Sequence, residues 1–125
     1  MVIKINKIKG TGMELTLAIN NYTAKKITQL EKFVNAADTS ASVDVEVGKT
    51  TNHHQAGDVF RAEFNLFVGG KQYNAVSEKE DLYAALDDVK DEVARELSKS
   101  KTRKRDLMRR GGARIKDIVR GFFNK

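Results

Sequence analysis

Apolar and polar side chains alternate through residues 2–8, Val-Ile-Lys-Ile-Asn-Lys-Ile, as a half-buried strand requires. Gly10 and Gly12 then break the pattern. From about Glu14 to Ala37 the period turns helical: Leu15, Ile19, Thr23, Ile27, Leu30 and Val34 recur at spacings of three and four and form one face. Asp38-Thr39-Ser40 ends this helix. Alternation returns over Ser42 to Lys49, with Val43, Val45 and Val47 on one side and Asp44 and Glu46 on the other. Thr50 to Asp58 reads as a polar loop. Val59 to Val68 is the clearest strand, with Phe60, Ala62, Phe64, Leu66 and Val68 facing one way.

Gly69-Gly70 predicts a tight hairpin, because both positions adopt positive φ at little cost. Its partner strand runs over about Lys71 to Val76. Ser77, three residues before Glu80, predicts a capping box for a second helix whose buried stripe is Leu82, Leu86, Val89, Val93 and Leu97. The element order is β-α-β-β-β-α. Sequential strands favour antiparallel hairpins, and both helical stripes can pack on one sheet face, leaving Lys4, Asn6, Asp44, Glu46, Arg61 and Glu63 in water. The expected fold class is α+β, a two-layer domain with two helices on one face of a four-stranded sheet.

Charge divides the chain in two. Residues 1–100 carry 13 Lys/Arg against 15 Asp/Glu, whereas residues 101–125 carry 10 against 2. The net charge of +6 therefore comes from the C-terminal fifth, and such asymmetry points to a polyanion, either nucleic acid or an acidic membrane surface. The expected organisation is a domain over 1–105 and a basic extension over 106–125. Paired glycines at Gly111-Gly112 interrupt any helix, and Ala113 to Phe123 forms an amphipathic segment too short to hold alone in water. With no cysteine, disulfides and thiolate metal sites are excluded. No signal-peptide pattern or membrane-length apolar run is present, which predicts a cytoplasmic protein.

Catalytic chemistry finds no convergent set. His53-His54 has no third metal ligand at a suitable spacing and reads as an exposed loop pair. Asp87-Asp88 and Asp91-Glu92 read as the solvated face of a helix, where acids near its N-terminus suit the dipole. Gly10-Thr11-Gly12 lacks the third glycine and the Lys-Ser/Thr of phosphate loops. No catalytic residue, cofactor, metal or small-molecule substrate is expected. Basic residues say more. Arg95 and Lys99 lie one turn apart, Arg103 lies about 80° round the helix from Arg95, and Lys101, Lys104 and Arg105 add to them. This density exceeds what helix capping requires and suits a phosphate backbone. Charge alone does not separate RNA from DNA or lipid.

Three segments resemble the ribosome hibernation promoting factor family, also called ribosome-associated inhibitor A or sigma-54 modulation proteins. They are Met13 to Ile19 with Leu30-Glu31-Lys32-Phe33, the strand Val59 to Phe64 with its hairpin, and Glu80-Asp81-Leu82-Tyr83-Ala84-Ala85-Leu86-Asp87 followed by Arg95-Glu96-Leu97 and Lys99. The resemblance covers about residues 1–105. It implies a β-α-β-β-β-α domain similar in shape to double-stranded RNA binding domains. It also implies binding to ribosomal RNA of the small ribosomal subunit, in the messenger RNA and transfer RNA channel, which blocks initiation by occupancy without catalysis. Basic positions of the family match Lys26, Lys32, Arg95 and Lys99, and Lys101, Arg103, Lys104, Arg105, Arg109 and Arg110 extend them. Asp91 and Glu92 depart from several relatives, so the ridge begins late on the helix. The second domain of long members is not seen, and residues 106–125 have no family role. They are expected to thread along ribosomal RNA, with Phe122 or Phe123 on a base. A general structured-RNA-binding module is the alternative, and a membrane-surface role for the tail stands third.

Overall fold

The computed structural model describes residues 2–35, 38–51 and 57–109, with side chains up to Ser100 except that of Thr51. The elements are β1 (Lys4–Thr11), α1 (Leu17–Leu30), a 3-10 turn (Glu31–Phe33), β2 (Ser42–Thr51), β3 (Asp58–Val68), β4 (Lys71–Lys79) and α2 (Leu82–Arg109). His53, His54, Arg110 and the segment from Ala113 to Phe123 lie outside the described residues.

The sheet order is β1-β2-β3-β4. The β2–β3 and β3–β4 pairs are antiparallel, as sequential strands suggest, whereas β1 pairs parallel to β2 through the α1 crossover. Gly69 (φ +57°) and Gly70 (φ +76°) make the tight β3–β4 turn with the double positive φ that suits strand twist. Val43, Val45, Val47, Ala62, Phe64, Leu66 and Ala75 form one core with Ile19, Ile27 and Leu30 of α1 and Leu82, Leu86, Val89, Val93 and Leu97 of α2. Both helices therefore cover the same face, giving the α+β two-layer architecture.

Local departures from simple periodicity have identifiable causes. In β1 the register shifts between Ile5 and Lys7, so Ile5 stands opposite Val43 and Ile8 opposite Val45. A bulge thus keeps two isoleucines three residues apart on the core side. The strand also continues through Gly10, where a Cβ would stand 2.9 Å from the Met13 carbonyl oxygen and 3.2 Å from Leu15 Cγ. Gly10 is a strand residue that admits a close crossing.

Helix α1 is shorter than Glu14 to Ala37. Thr16 caps it, its hydroxyl accepting from the Ile19 N–H at 3.1 Å, so Leu15 precedes the helix yet still packs on the core. After Leu30 the chain tightens into the 3-10 turn, and Val34 is already extended. The Glu31 carboxylate accepts from the backbone N–H groups of Val2 and Ile3, tying this turn to the chain start.

The capping box at Ser77 does not form. Ser77 is buried in β4 opposite Ala62, continuing the inward face of Tyr73 and Ala75. Asp81 fills the role instead, its side chain accepting from Tyr83 N–H at 3.3 Å and its carbonyl from Ala85 N–H at 3.1 Å.

Two buried side-chain polar atoms have no hydrogen-bond partner among the described residues, Asn20 Oδ1 and the hydroxyl of Thr23, the latter on a fully buried residue. Leaving such a group dry costs about 1–3 kcal/mol. Thr23→Val keeps the shape and is expected to raise stability by about 1 kcal/mol, read as a higher thermal midpoint in calorimetry.

Candidate nucleic-acid interface

The two faces of the molecule carry charge differently. On the open sheet face, register sets Lys7 opposite Asp44 and Lys9 opposite Glu46, and Arg61 meets Glu63 at 3.3 Å. Asn74 donates to Glu63 at 2.9 Å and to Asn65 at 2.6 Å. Cations here sit beside anions. The helix layer instead separates its charges along α2. Asp87, Asp88, Asp91 and Glu92 come first, with Lys90 among them, and Arg95, Lys99, Lys101, Arg103, Lys104, Arg105 and Arg109 follow, with only Glu96 and Asp106 between.

Arg95 and Lys99 are exposed one turn apart, above the buried Val93 and Leu97 that fix the orientation of the helix. Lys99 is 3.5 Å from Glu96, an exposed contact of small worth. The α2 backbone continues as helix through Lys101, Arg103, Lys104 and Arg105 to Arg109, just before the paired glycines. Lys32 is exposed on the 3-10 turn, which packs beside α2, and its ammonium stands 5.1 Å from the Phe33 ring centroid.

Lys26 is different. Its ammonium is mostly buried and lies 2.8 Å from Asp87 Oδ1, which also accepts from the Tyr22 hydroxyl at 2.6 Å. The same ammonium is 5.0 Å from the centroid of Tyr22, whose ring meets Tyr83 edge-on at 4.8 Å. Asp87 is thus a bridge between the helices and not a solvated acid. Burial pushes the Asp87 carboxyl up, but hydrogen bonds from Lys26 and Tyr22 outweigh it and hold it below the usual range. The bond to Asp87 raises Lys26 and likewise raises the Tyr22 phenol. The Lys26 charge is therefore already committed, whereas Lys32, Arg95 and Lys99 present theirs outward. A sequence separation of 65 residues hid the Tyr22–Asp87 contact from any local pattern.

A family model described as "Sigma 54 modulation protein / S30EA ribosomal protein" matches residues 6–105. The chain belongs to this family. Within it, a ribosome hibernation promoting factor of Klebsiella oxytoca is 32% identical over 94 residues, covering 75% of this chain and 90% of the relative. A ribosome hibernation promotion factor of a Picosynechococcus strain is 30% identical over 94 residues, and the match spans only 47% of that longer protein. Among solved structures, the Thermus thermophilus Protein Y N-terminal domain superposes with a TM-score of 0.64 at 25% identity, over 77% of this chain and 97% of that one. The β-α-β-β-β-α arrangement of this S30EA-family chain is the fold of that domain. No described helix is long and apolar enough to cross a membrane.

Proposed function

We propose that this chain is a ribosome hibernation factor of the cytoplasm. It binds ribosomal RNA of the small ribosomal subunit in the messenger RNA and transfer RNA channel and blocks initiation by occupancy, without catalysis. The observation that carries the reading is the family match over residues 6–105, which ends on the basic half of α2. The relatives named as hibernation factors and the outward charges of Lys32, Arg95 and Lys99 support it. In this reading Lys101, Arg103, Lys104, Arg105, Arg109 and Arg110, which follow in the sequence, add further cations for phosphate, each contact releasing counterions. Lys26 serves it from behind, by holding α1 against α2 at Asp87.

The test is co-sedimentation with separated ribosomal subunits. Saturable binding to the small subunit, with loss of initiation in a translation assay, is the expected result. Equal binding to both subunits and to plain duplex RNA favours a general structured-RNA module instead. Residues 1–105 form the ribosome-binding domain in this reading, and the extension over 106–125 adds phosphate contacts. Truncation after Lys104 is accordingly expected to weaken subunit affinity at physiological salt, and unchanged affinity rejects the role of the extension.

A further inference from the structure

The α2 ridge passes a lysine on the sheet that no helical pattern includes. Tyr73 Oη and Ser100 Oγ are 3.1 Å apart, which sets the basic half of α2 level with the start of β4. Lys71, the first residue of β4, is exposed, and its ammonium lies 5.2 Å from the Tyr73 ring centroid. The ring therefore carries the Lys71 charge toward Ser100 and its exposed neighbour Lys99. About 13 Å of helix follows Ser100, while only about 7 Å of β4 remains beyond Tyr73. The end of α2 thus runs out past the β3–β4 hairpin, with Lys71 at its root.

Lys71 differs from the lysines already held by a carboxylate and shares with Lys32 an exposed ammonium over an aromatic ring. Lys26 is bound to Asp87, Lys49 to Asp58 at 3.2 Å and Lys90 to Asp91 at 2.7 Å. Among the described residues Lys71 has no carboxylate partner. Asp38, the acid nearest the hairpin in bonding terms, accepts from the Ser40 hydroxyl at 2.6 Å, the Ser40 N–H at 2.9 Å and the Gly69 N–H at 3.0 Å. Those bonds occupy its oxygens and brace the turn. A cation that is exposed, held by a ring and free of a counter-anion is placed to meet an external one.

We propose that the β3–β4 hairpin belongs to the RNA-binding surface and that Lys71 contacts an RNA phosphate alongside Lys99. This rests on the ribosome-binding reading and adds a strand element to a helical site. The test compares full-length wild type with Lys71→Gln, Lys71→Arg and Lys79→Gln in small-subunit binding across a salt series. Lys79 is exposed at the other end of β4, about 26 Å away, and controls for net charge. Lys71→Gln is expected to lower the slope of log affinity against log salt by about 0.7–0.9, one phosphate's worth. Lys71→Arg keeps the slope, and Lys79→Gln leaves it unchanged. An unaltered slope in Lys71→Gln, or an equal fall in Lys79→Gln, overturns the inference while the functional reading stands. Absence of small-subunit binding by the wild type overturns both.

Discussion

Between about 50 and 200 mM salt, small-subunit binding is expected to weaken roughly 50- to 150-fold more for the wild type than for a variant carrying Arg95→Ala, Lys99→Ala, Arg103→Ala and Lys104→Ala. The figure follows from four phosphate contacts. Each contributes a slope of about 0.7 on single-stranded and about 0.9 on duplex nucleic acid, compounded over a fourfold change in salt. Arg95 and Lys99 are exposed, so their loss leaves no cavity and no buried partner. The variant therefore keeps its thermal midpoint while the salt slope of its affinity falls by about four contacts' worth, the remaining cations keeping the rest. Equal salt slopes for variant and wild type reject the α2 ridge as the phosphate contact. A drop in affinity at constant slope assigns these residues a role other than charge.

Asp87→Ala is expected to cost about 2 kcal/mol of stability, or roughly 10 °C in thermal midpoint for a domain of this size. Removing the carboxylate leaves the mostly buried Lys26 ammonium unpaired and the Tyr22 hydroxyl without its acceptor. The side chain of Asp87 is itself 45% exposed, so solvent reaches the vacated site and the cost stays below that of breaking a fully buried pair. Tyr22→Phe removes only one of the two bonds and is expected to cost about 1 kcal/mol.

The pH dependence has a definite sign at each end. Asp87 is held below its unfolded value, so its contribution is present above the ordinary carboxylate range and is lost as pH falls through the depressed folded value. Lys26 and Tyr22 are raised, so theirs are full below their unfolded values and are lost as pH rises through the raised ones. The helix bridge is therefore intact across neutral pH, and Asp87→Ala flattens the stability profile at both extremes. A variant that unfolds with the same pH profile as the wild type rejects the bridge.

The Asp87 bridge also changes how the basic positions are understood. Lys26 and Lys32 belong to the same helical segment of the sequence and look alike there. In the fold Lys26 turns inward to a carboxylate and Lys32 faces solvent. Only Lys32 offers a free charge to a polyanion, and Lys26→Gln is felt first through helix packing.

Much of the architecture follows from local rules. Period-two alternation in β2 and β3, the paired glycines at the hairpin and the stripe Leu82, Leu86, Val89, Val93 and Leu97 each have one good solution, because a side chain's face is set by its backbone period. The concentration of cations late on α2 is likewise written in the chain itself. Element ends were less legible. Whether Ser77 starts a helix or closes a strand depends on Ala62 pairing with it, and whether Gly10 breaks β1 depends on Leu15 crossing it. The bulge in β1 is decided by the shared core, which draws in Ile5 and Ile8 together. Charge commitment lay wholly beyond local pattern. The chain shows which residues are cations, but the packing of α1 on α2 and of Tyr73 on Ser100 decides that Lys26 is spent while Lys71 and Lys99 are offered. The physical reason is range: periodicity acts over a few residues, whereas an ion pair or a ring contact acts over ångströms between residues that the fold alone brings together.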